Sequence, residues 1–323
     1  MRVLVALGGN AMTAPDGSAR PGDQIAAATV AMERVADLVA AGHDVALTHG
    51  NGPQVGNLLV KNELAAEVVP PVPLDWCGAQ TQGTLGFVLL DALQYALAER
   101  RVERPVAALV TRTRVDRDDP GLRRPSKPIG RYLSAAEAQT MIEHGQTWED
   151  RGMRGWRRIV ASPEPREVLD SAAARVLMDA GHVVVVGGGG GIPVVRDPDG
   201  SLRGVEAVID KDLTADLLAR DLAADVLVVA TDVEHVLVGY GTQDERPVRH
   251  TTPAELRTLA DKGEFASGSM GPKVEAVCRF VEAGGTRAVI TSLAHIGDAV
   301  TADAGTVVQA HPEGGPAIRK DPV

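Results

Sequence analysis

Hydrophobic and polar residues alternate in blocks along this chain, and two kinds of block recur. Short Val-, Leu- and Ala-rich runs such as 183–186 and 226–230 lack strict alternation, which is typical of strands buried on both faces. Longer Ala- and Leu-rich stretches lie between them and are typical of helices. The pattern predicts strands at 2–7, 44–48, 105–111, 182–186, 225–230, 287–291 and 306–308. It predicts helices at 24–41, 57–68, 78–100, 165–180, 211–222, 253–261 and 273–283.

This order of elements predicts an α/β fold with a mainly parallel central sheet covered on both faces, in a single domain over 1–323. The segment 114–156 interrupts the rhythm and is rich in Arg, Asp, Gly and Pro. It contains one predicted helix at 134–144, where Ser134 and Glu137 form a capping-box pattern. We interpret this segment as an inserted flap subdomain, and we expect a poorly ordered terminus after Gln309.

Composition excludes several functional classes. The 323 residues are 44% hydrophobic and carry a net charge of −10, which disfavours a broad nucleic-acid surface. Two cysteines, Cys77 and Cys278, are too few for a disulfide framework and favour a reducing cytosol. No base is identifiable near Cys77 in sequence, so a buried thiol is favoured over a nucleophile. The apolar runs are far shorter than the ~20 residues of a membrane span. We expect a cytoplasmic protein without nucleic-acid or membrane partners.

Three of the six lysines lie in unusual surroundings, in a chain that otherwise prefers arginine. Lys127 lies between Ser126 and Pro128, three residues before Gly130. Lys211 lies between two aspartates, and Lys273 follows a segment rich in glycine. Lysine is a compact point charge that suits a single oxygen of a transferring phosphoryl group. Together these lysines predict a phosphoryl-transfer site.

Four glycine clusters follow predicted strands: 8–10, 50–52, 187–191 and 268–271. Ligands of open α/β sheets bind beyond the carboxyl ends of the strands, where glycine lets backbone amides approach an anion. The spacing at 50–56 is one residue too long for a dinucleotide-binding G-x-G-x-x-G, and no Walker A sequence occurs. The clusters therefore predict a phosphate site of another type.

The ordered motifs resemble the amino acid kinase superfamily and, within it, the carbamate kinase family. The similarity runs from residue 1 to about 308, and the inserted segment resembles the subdomain that distinguishes carbamate kinases from sister kinases. The matching segments are 6–11, 48–56, 73–75, 81–83, 127–130, 157–165, 188–193, 206–212, 231–233 and 269–273.

The resemblance implies a three-layer α/β/α sandwich that forms a homodimer. The part at about 1–195 would bind the acceptor, and the part at about 196–310 would bind the nucleotide. The implied reaction is reversible Mg²⁺-dependent transfer in which ATP and carbamate give ADP and carbamoyl phosphate. Its useful direction in many members is ATP synthesis in arginine catabolism. Mg²⁺ would be held mainly by phosphate oxygens rather than by a protein metal site.

The resemblance also assigns roles to residues. Lys127 and Lys211 would contact the transferring phosphoryl group, and Lys273 would hold ATP phosphates. Asp212 would hold the lysines in place, and Asp210 could help. Carbamate would be bound by backbone and amide groups of Gly8, Gly9, Asn10, Gly50, Asn51 and Gly52. The nucleotide would be bound by Thr231, Asp232, Val233, Val236, Tyr240, Phe265, Met270, Gly271 and Lys273.

Some alternatives stay open at this point. Ordinary packing would explain Tyr240 and Met270 nearly as well as nucleotide binding. His49 precedes a glycine loop, but transfer to carbamate needs no base, which favours a structural role. His235 could contact ribose or face solvent.

Two alternative functions also remain. The residues at 76–80 and Arg131 depart from the family pattern and border the expected acceptor pocket and flap, so a kinase acting on another small carboxylate is one alternative. A catalytically weak sensor is another, although a sensor could dispense with Lys127, Lys211, Asp212 and Lys273. Activity with carbamate and with other small acids would distinguish these possibilities.

Overall fold

The computed structural model describes residues 1–13, 20–265, 270–301 and 304–311, and for Asn10 the backbone alone. The segment after His311 and the glycine cluster before Met270 lie outside the described residues. The strands are β1 (Arg2–Leu7), β2 (Asp44–His49), β3 (Val106–Ala108), β4 (Arg112–Val115), β5 (Lys127–Leu133), β6 (Trp148–Asp150), β7 (Trp156–Val160), β8 (Pro165–Val168), β9 (Val183–Val185), β10 (Ile192–Arg196), β11 (Leu202–Gly204), β12 (Val226–Thr231), β13 (Val236–Val238), β14 (Arg246–Val248), β15 (His250–Thr251), β16 (Arg287–Ser292) and β17 (Thr306–Val308). The α-helices are α1 (Pro21–Ala40), α2 (Gly52–Ala65), α3 (Leu74–Glu99), α4 (Pro120–Arg123), α5 (Ala135–Glu143), α6 (Ser171–Asp179), α7 (Lys211–Asp221), α8 (Pro253–Asp261) and α9 (Met270–Glu282).

The central sheet has eight strands within the described residues, in the order β15-β17-β16-β12-β1-β2-β9-β3. Strand β1 pairs parallel with both neighbours, so Leu7 lies opposite Ala230 on one side and His49 on the other. Among the pairings described for this sheet, that of β16 with β17 is the antiparallel one. The predicted α/β fold with a mainly parallel sheet is therefore confirmed.

Helices cover both faces of this sheet, and β1 shows how its residues divide between them. Val3 and Val5 pack into a core with α1 and α3, whereas Leu4 and Ala6 pack into a second core with α6, α7, α8 and α9. Alternate residues of a strand point to opposite faces, so both sets are apolar in a strand buried on two sides. The result is the expected three-layer sandwich. No described helix is both long and apolar enough to cross a membrane.

The helices predicted at 57–68 and 78–100 begin earlier in the structure, at Gly52 and Leu74, and two other predicted elements differ more. The helix predicted at 165–180 is wrong in its first half, which forms β8, and the helical part is α6. Strand β8 pairs antiparallel with β4, a long-range contact that local residue spacing does not encode. The strand predicted at 105–111 is shorter and ends as β3. Beyond it, the Thr111 amide donates to the side chain of Gln82 at 2.8 Å instead of to a strand.

The segment predicted as an insertion at 114–156 divides into two parts. Its first residues belong to β4, which joins β8, β10 and β11 in a four-stranded sheet. A separate antiparallel sheet, β5-β7-β6, carries α5, and we call this unit, residues 127–160, the flap. The capping box is confirmed, because the Glu137 carboxylate accepts from the Ser134 amide at 2.9 Å and the Glu137 amide donates to the Ser134 hydroxyl at 3.3 Å.

Candidate active site at the carboxyl edge of the sheet

The glycine loops after β1 and β2 meet at the carboxyl edge of the sheet. The Gly8 amide donates to the carbonyl of Ala230 at 2.8 Å, and the Gly50 amide donates to that of Leu7 at 3.1 Å. A Cβ atom on Gly50 would lie 3.1 Å from the Cα of Gly9, so these backbones approach very closely. Glycine at position 50 therefore allows two loops to share one wall of a cleft.

The third glycine loop, 187–191, lies against the second. A Cβ on Gly188 would lie 2.4 Å from Nε2 of His49, and a Cβ on Gly189 would lie 2.1 Å from Nδ2 of Asn51. Gly189 also has a φ of +67°, which glycine adopts without steric cost. Close approach therefore requires glycine at both positions.

Two polar residues in the middle of α3 support these loops. The Thr81 hydroxyl accepts a hydrogen bond from Nδ2 of Asn51 at 2.8 Å. The buried Gln82 donates to the carbonyl of Gly188 at 2.9 Å and accepts from the amide of Thr111 at 2.8 Å. A fully satisfied buried amide fixes the distance between the groups it joins. No role was assigned to this pair from the sequence, although polar residues within an apolar helix are a usable signal.

His49 lies behind the second glycine loop and is buried. Its Nδ1 atom is 3.0 Å from the carbonyl oxygen of Gly50, which can only accept, so the neutral ring donates there. Burial, with a smaller effect of Lys211, lowers the pKa of His49 to about 4 against the opposing effect of this hydrogen bond. A neutral, buried imidazole agrees with a structural role. His235 is also buried and does not face solvent.

The N-terminus of α7 carries the acidic centre of the site. Asp210 caps the helix, and its Oδ1 accepts from the Asp212 amide at 2.9 Å. Lys211 pairs with Oδ1 of Asp212, and Nζ of Lys273 on α9 lies 3.2 Å from Oδ2 of the same residue. Nζ of Lys127 on the flap lies 2.5 Å from Oδ2 of Asp210. Three lysines from three different elements therefore converge on two aspartates.

This cluster favours an anion. Its three lysines and two aspartates leave one net positive charge, and the start of α7 adds the partial positive charge of a helix N-terminus. Burial lowers the pKa of Lys273, and Asp212 opposes that shift. Burial alone would raise the pKa of Asp212, but Lys211 and Lys273 lower it below its ordinary value, so the carboxylate stays ionised.

These groups line a cleft of about 290 Å³ that the glycine loops and the flap enclose. The five residues predicted to be catalytic all line it: Lys127, Asp210, Lys211, Asp212 and Lys273. So do five of the six residues predicted to bind the acceptor: Gly8, Gly9, Gly50, Asn51 and Gly52. The side chain of Asn10 lies outside what the structure describes. The roles of these residues stay predictions, but one cleft holds both sets.

Only some of the residues predicted to bind the nucleotide line the cleft. Thr231 and Asp232 line the cleft at the end of β12, as does Lys273. Val236 is buried in the core, and Tyr240 is 71% exposed beside a separate depression. The described lining of the cleft does not include the remaining predicted residues, which are Val233, Val236, Tyr240, Phe265, Met270 and Gly271. Their assignment to the nucleotide stays a prediction.

The aspartates of the cleft have little capacity left for a metal ion. Each carboxylate oxygen of Asp210 and Asp212 already accepts a hydrogen bond, three of them from lysines and one from a backbone amide. Across the residues that the structure describes, no group of three or more His, Cys, Asp or Glu side chains could hold a metal. A divalent cation carried on phosphate oxygens fits this donor set better than one held by a protein cage.

Comparison with known proteins identifies the family. Residues 1–292 match the model of the amino acid kinase family. The chain is 42% identical over 311 residues to a carbamate kinase of Thermococcus kodakarensis, over 95% of this chain and 98% of the relative. It is 39% identical over 315 residues to a carbamate kinase-like protein of Escherichia coli, with the same coverage. The solved structure of a carbamate kinase from Giardia lamblia bound to AMP-PNP has a TM-score of 0.88 and 36% identity, over 95% of this chain and 98% of that one. This chain therefore belongs to the amino acid kinase family and is a phosphotransferase whose similarity to carbamate kinases extends over nearly its whole length.

Proposed function

We propose that the protein catalyses reversible phosphoryl transfer between ATP and carbamate, forming ADP and carbamoyl phosphate. The convergence of Lys127, Lys211 and Lys273 on Asp210 and Asp212 beside three glycine loops carries the proposal. Nearly full-length similarity to carbamate kinases supports the reaction. The Giardia relative bound to AMP-PNP, an ATP analogue, supports ATP and ADP as substrates.

The chemistry needs little from the protein beyond positioning and charge stabilisation. An oxygen of carbamate attacks the γ-phosphorus of ATP, and a new O–P bond forms. The bond from the γ-phosphorus to the bridging oxygen breaks, and its electron pair leaves with ADP. Carbamate is already an anion, so no side chain has to remove a proton. The barrier comes from bringing two anions together and spreading charge over the phosphoryl oxygens.

The lysines supply this stabilisation. Lys211 and Lys127 contact the transferring phosphoryl group, and Lys273 holds the ATP phosphates. Asp212 keeps Lys211 and Lys273 in place through its two salt bridges. Asp210 holds Lys127 at 2.5 Å and so keeps the flap lysine at the edge of the cleft. These ion pairs hold the cations in fixed positions, which is the arrangement that lowers reorganisation cost in the transition state.

The glycine loops form the acceptor side of the cleft. Carbamate is a small planar anion, which the backbone amides of these loops can bind without any large side chain. Asn51 adds specificity, because its Nδ2 group donates to the Thr81 hydroxyl at 2.8 Å and this bond orients the side-chain amide. In this proposal the Oδ1 oxygen of the oriented amide accepts a hydrogen bond from the amino group of carbamate. Gly8, Gly9, Asn10, Gly50 and Gly52 complete the acceptor site in this proposal.

Nucleotide binding belongs to the part of the cleft at the carboxyl end of β12. Thr231 ends this strand and Asp232 follows it, and Thr231 donates to Oδ1 of Asp232 at 3.0 Å. Mg²⁺ bound to the phosphates would neutralise part of their charge. The engaged carboxylates of Asp210 and Asp212 support a metal held mainly by phosphate oxygens.

The physiological setting is part of the same proposal. We expect net ATP synthesis from carbamoyl phosphate in arginine catabolism, in the cytoplasm, where the free cysteines Cys77 and Cys278 would stay reduced. A homodimer is also proposed. Helix α3 supports it, because Trp76, Phe87 and Tyr95 expose 60%, 62% and 66% of their surface along one element.

A kinase acting on another small carboxylate is the second candidate. Its support is the 39% identity to a relative named only carbamate kinase-like, which is close to the identity with the carbamate kinases. Glycine loops bind any small carboxylate through the same amides, so they discriminate acceptors weakly. In this case the lysine cluster and the nucleotide would keep their roles, and the acceptor alone would differ.

The deciding experiment measures ATP formation from ADP, Mg²⁺ and carbamoyl phosphate. Acetyl phosphate serves as the control donor, because it carries a methyl group where carbamoyl phosphate carries an amino group. We expect fast ATP formation with carbamoyl phosphate and slow formation with acetyl phosphate. Equal rates would favour a broad carboxylate kinase. Absence of ATP despite ADP binding in a titration would refute carbamate as the acceptor.

A further inference from the structure

The flap contributes Lys127 to the site, so the position of this lysine depends on how the flap is held. Lys127 is the first residue of β5 and lies opposite Val160 of β7, and Ile129 lies opposite Arg158 in the same antiparallel pairing. A contact that fixes β7 therefore also fixes β5 and its first residue. The flap contacts α2, which begins at the second glycine loop, in three ways: through one backbone contact, one set of polar contacts and one apolar cluster.

The first contact is between two backbones. A Cβ on Gly56 of α2 would lie 2.5 Å from the Cα and 3.0 Å from the N of Gly130 on β5. Gly130 has a φ of +70°, and the β5–β7 register shifts between Ile129 and Tyr132, which is the geometry of a β-bulge. The bulge places the backbone of β5 against α2, and the absence of a side chain at position 56 leaves room for this contact.

The second contact is a polar clamp centred on Glu63, in the last turn of α2. Its Oε1 atom accepts from Nε2 of Gln146 at 3.1 Å and lies 3.4 Å from Nη1 of Arg158. Gln146 in turn accepts from the indole N–H of Trp148 at 3.0 Å. Arg158 and Glu63 expose only 20% and 25% of their side chains, so solvent screens this pair less than a surface pair.

An apolar cluster lies between these two contacts. It joins Val55 and Leu59 of α2 to Ile129 and Val160 of the flap. Val55 and Ile129 also line the catalytic cleft, so the docking surface and the cleft are continuous. Displacement of the flap from α2 would therefore move the strand that begins with Lys127.

We propose that Glu63 is a positioning residue of this enzyme, because it holds the flap on α2 and so places Lys127 beside Asp210. The inference rests on the proposed phosphoryl transfer, in which Lys127 contacts the transferring group. Glu63 itself does not line the cleft, and its effect on turnover passes through Lys127. Gly56 contributes to the same docking, because it allows the backbone of the flap to contact α2.

The main experiment compares Glu63→Ala with Glu149→Ala in the ATP-forming assay. Glu149 pairs with Arg151 at 2.7 Å within the flap, so it is a matched glutamate outside the docking surface. We expect Glu63→Ala to lower kcat about tenfold with the KM for ADP unchanged, because a small displacement of a catalytic group has effects of this size. Glu149→Ala should behave like the natural protein. An unchanged kcat in Glu63→Ala would overturn the proposal.

Two further variants separate positioning from general damage. Glu63→Gln keeps an oxygen that accepts from Gln146 and should recover most of the lost kcat. In a Lys127→Ala background, Glu63→Ala should cause no additional loss, because residues acting through one group are non-additive. The same tenfold loss in that background would show that Glu63 acts elsewhere and would contradict the proposal.

Hydrogen exchange of the flap gives a readout that does not depend on activity. We expect the amides of 127–133 to exchange faster in Glu63→Ala and in Gly56→Ala than in the natural protein. Gly56→Ala is informative because alanine is otherwise favoured over glycine in a helix, so faster exchange in this variant indicates loss of docking. Unchanged exchange in both variants would refute the docking role. An inactive natural protein would refute the proposed reaction instead, and exchange would still decide whether Glu63 holds the flap.

Discussion

Two elements outside α7 deliver a lysine to its N-terminus, and they do so in different ways. Helix α9 brings Lys273 from within the core, where its side chain is 5% exposed and its partner Asp212 is 5% exposed. The flap brings Lys127 from outside, where its side chain is 39% exposed against 10% for Asp210. Both lysines end on a carboxylate of the same helix turn.

The difference lies in what fixes each cation. Helix α9 buries an apolar face, including Val274, Val277 and Phe280, so Lys273 is held by the packing of the central core. The flap is joined to α2 by a small cluster, one backbone contact and the clamp at Glu63. A buried cation is pre-organised at the cost of its hydration, whereas a docked cation depends on a contact that can open.

The largest expected effect is on the buried side. Lys273→Ala removes one of the two cations that keep the buried Asp212 ionised. We expect a loss of unfolding free energy of about 3 kcal/mol, together with weaker ATP binding, because an undercompensated buried charge is costly. Denaturant unfolding and a nucleotide titration measure the two effects. The exposed Lys262→Ala is the control and should change stability by less than about 0.5 kcal/mol. A Lys273 variant as stable as this control would contradict the comparison.

The stability of the protein should also depend on pH through the buried His49. Its pKa is about 4 in the folded protein and 6.5 ordinarily, so the unfolded state takes up a proton first as pH falls. Stability contributed by the neutral ring is complete above pH 6.5 and should decrease by about 3 kcal/mol between pH 6.5 and 4. Unfolding midpoints of the natural protein and of His49→Gln across this range provide the measurement. Equal slopes for the two proteins would show that His49 is not held neutral by burial.

Lys211 belongs to α7 itself, and its removal tests the cluster of aspartates that Lys127 and Lys273 also join. We expect Lys211→Ala to lower kcat by about 100-fold or more with a modest change in KM, since its charge matters mainly in the transition state. Steady-state kinetics in the ATP-forming direction check this, with the exposed Lys61→Ala as the control. A kcat equal to that of the control would remove Lys211 from the proposed mechanism.

The smallest effect of the series is expected for the flap lysine. Lys127→Ala should lower kcat about tenfold or more, while ATP binding in a titration and the unfolding free energy change little. The reason is that Lys127 is partly exposed and, in the proposed mechanism, contacts the nucleotide only through the transferring group. Loss of ATP binding without loss of turnover would place Lys127 on the nucleotide. The contrast between Lys127 on the flap and Lys273 on α9 would then be wrong.

Much of the fold could be predicted from the chain alone. The strands β1, β2, β12, β16 and β17 were predicted within one residue, because each is a short apolar run bounded by polar or glycine residues. The glycine loops were found because glycine clusters follow predicted strands, and the lysines of the cleft because isolated lysines among glycine, proline and acidic residues are unusual. These signals depend on neighbours in sequence and not on the remainder of the fold.

Other features were missed for physical reasons. Strand β8 was predicted as helix because its pairing with β4 joins residues about fifty positions apart. Gln82 had no assigned role, although it joins Thr111 and Gly188, because its partners are backbone groups without a sequence signature. The resemblance assigns Tyr240 and Val236 to the nucleotide, and that assignment stays a prediction; only the structure shows that Tyr240 is exposed and Val236 buried, both outside the cleft lining.

The sequence by itself determined the class of fold, the glycine loops and the identity of the cations, because composition and local periodicity encode strands, turns and isolated charges. Only the tertiary structure decided which carboxylate each lysine meets and how the flap is held. Lys127 and Asp210 are 83 positions apart, and Glu63 and Arg158 are 95 positions apart. Contacts of this kind depend on strand register and close backbone approach, which are properties of the packed chain and not of any local segment.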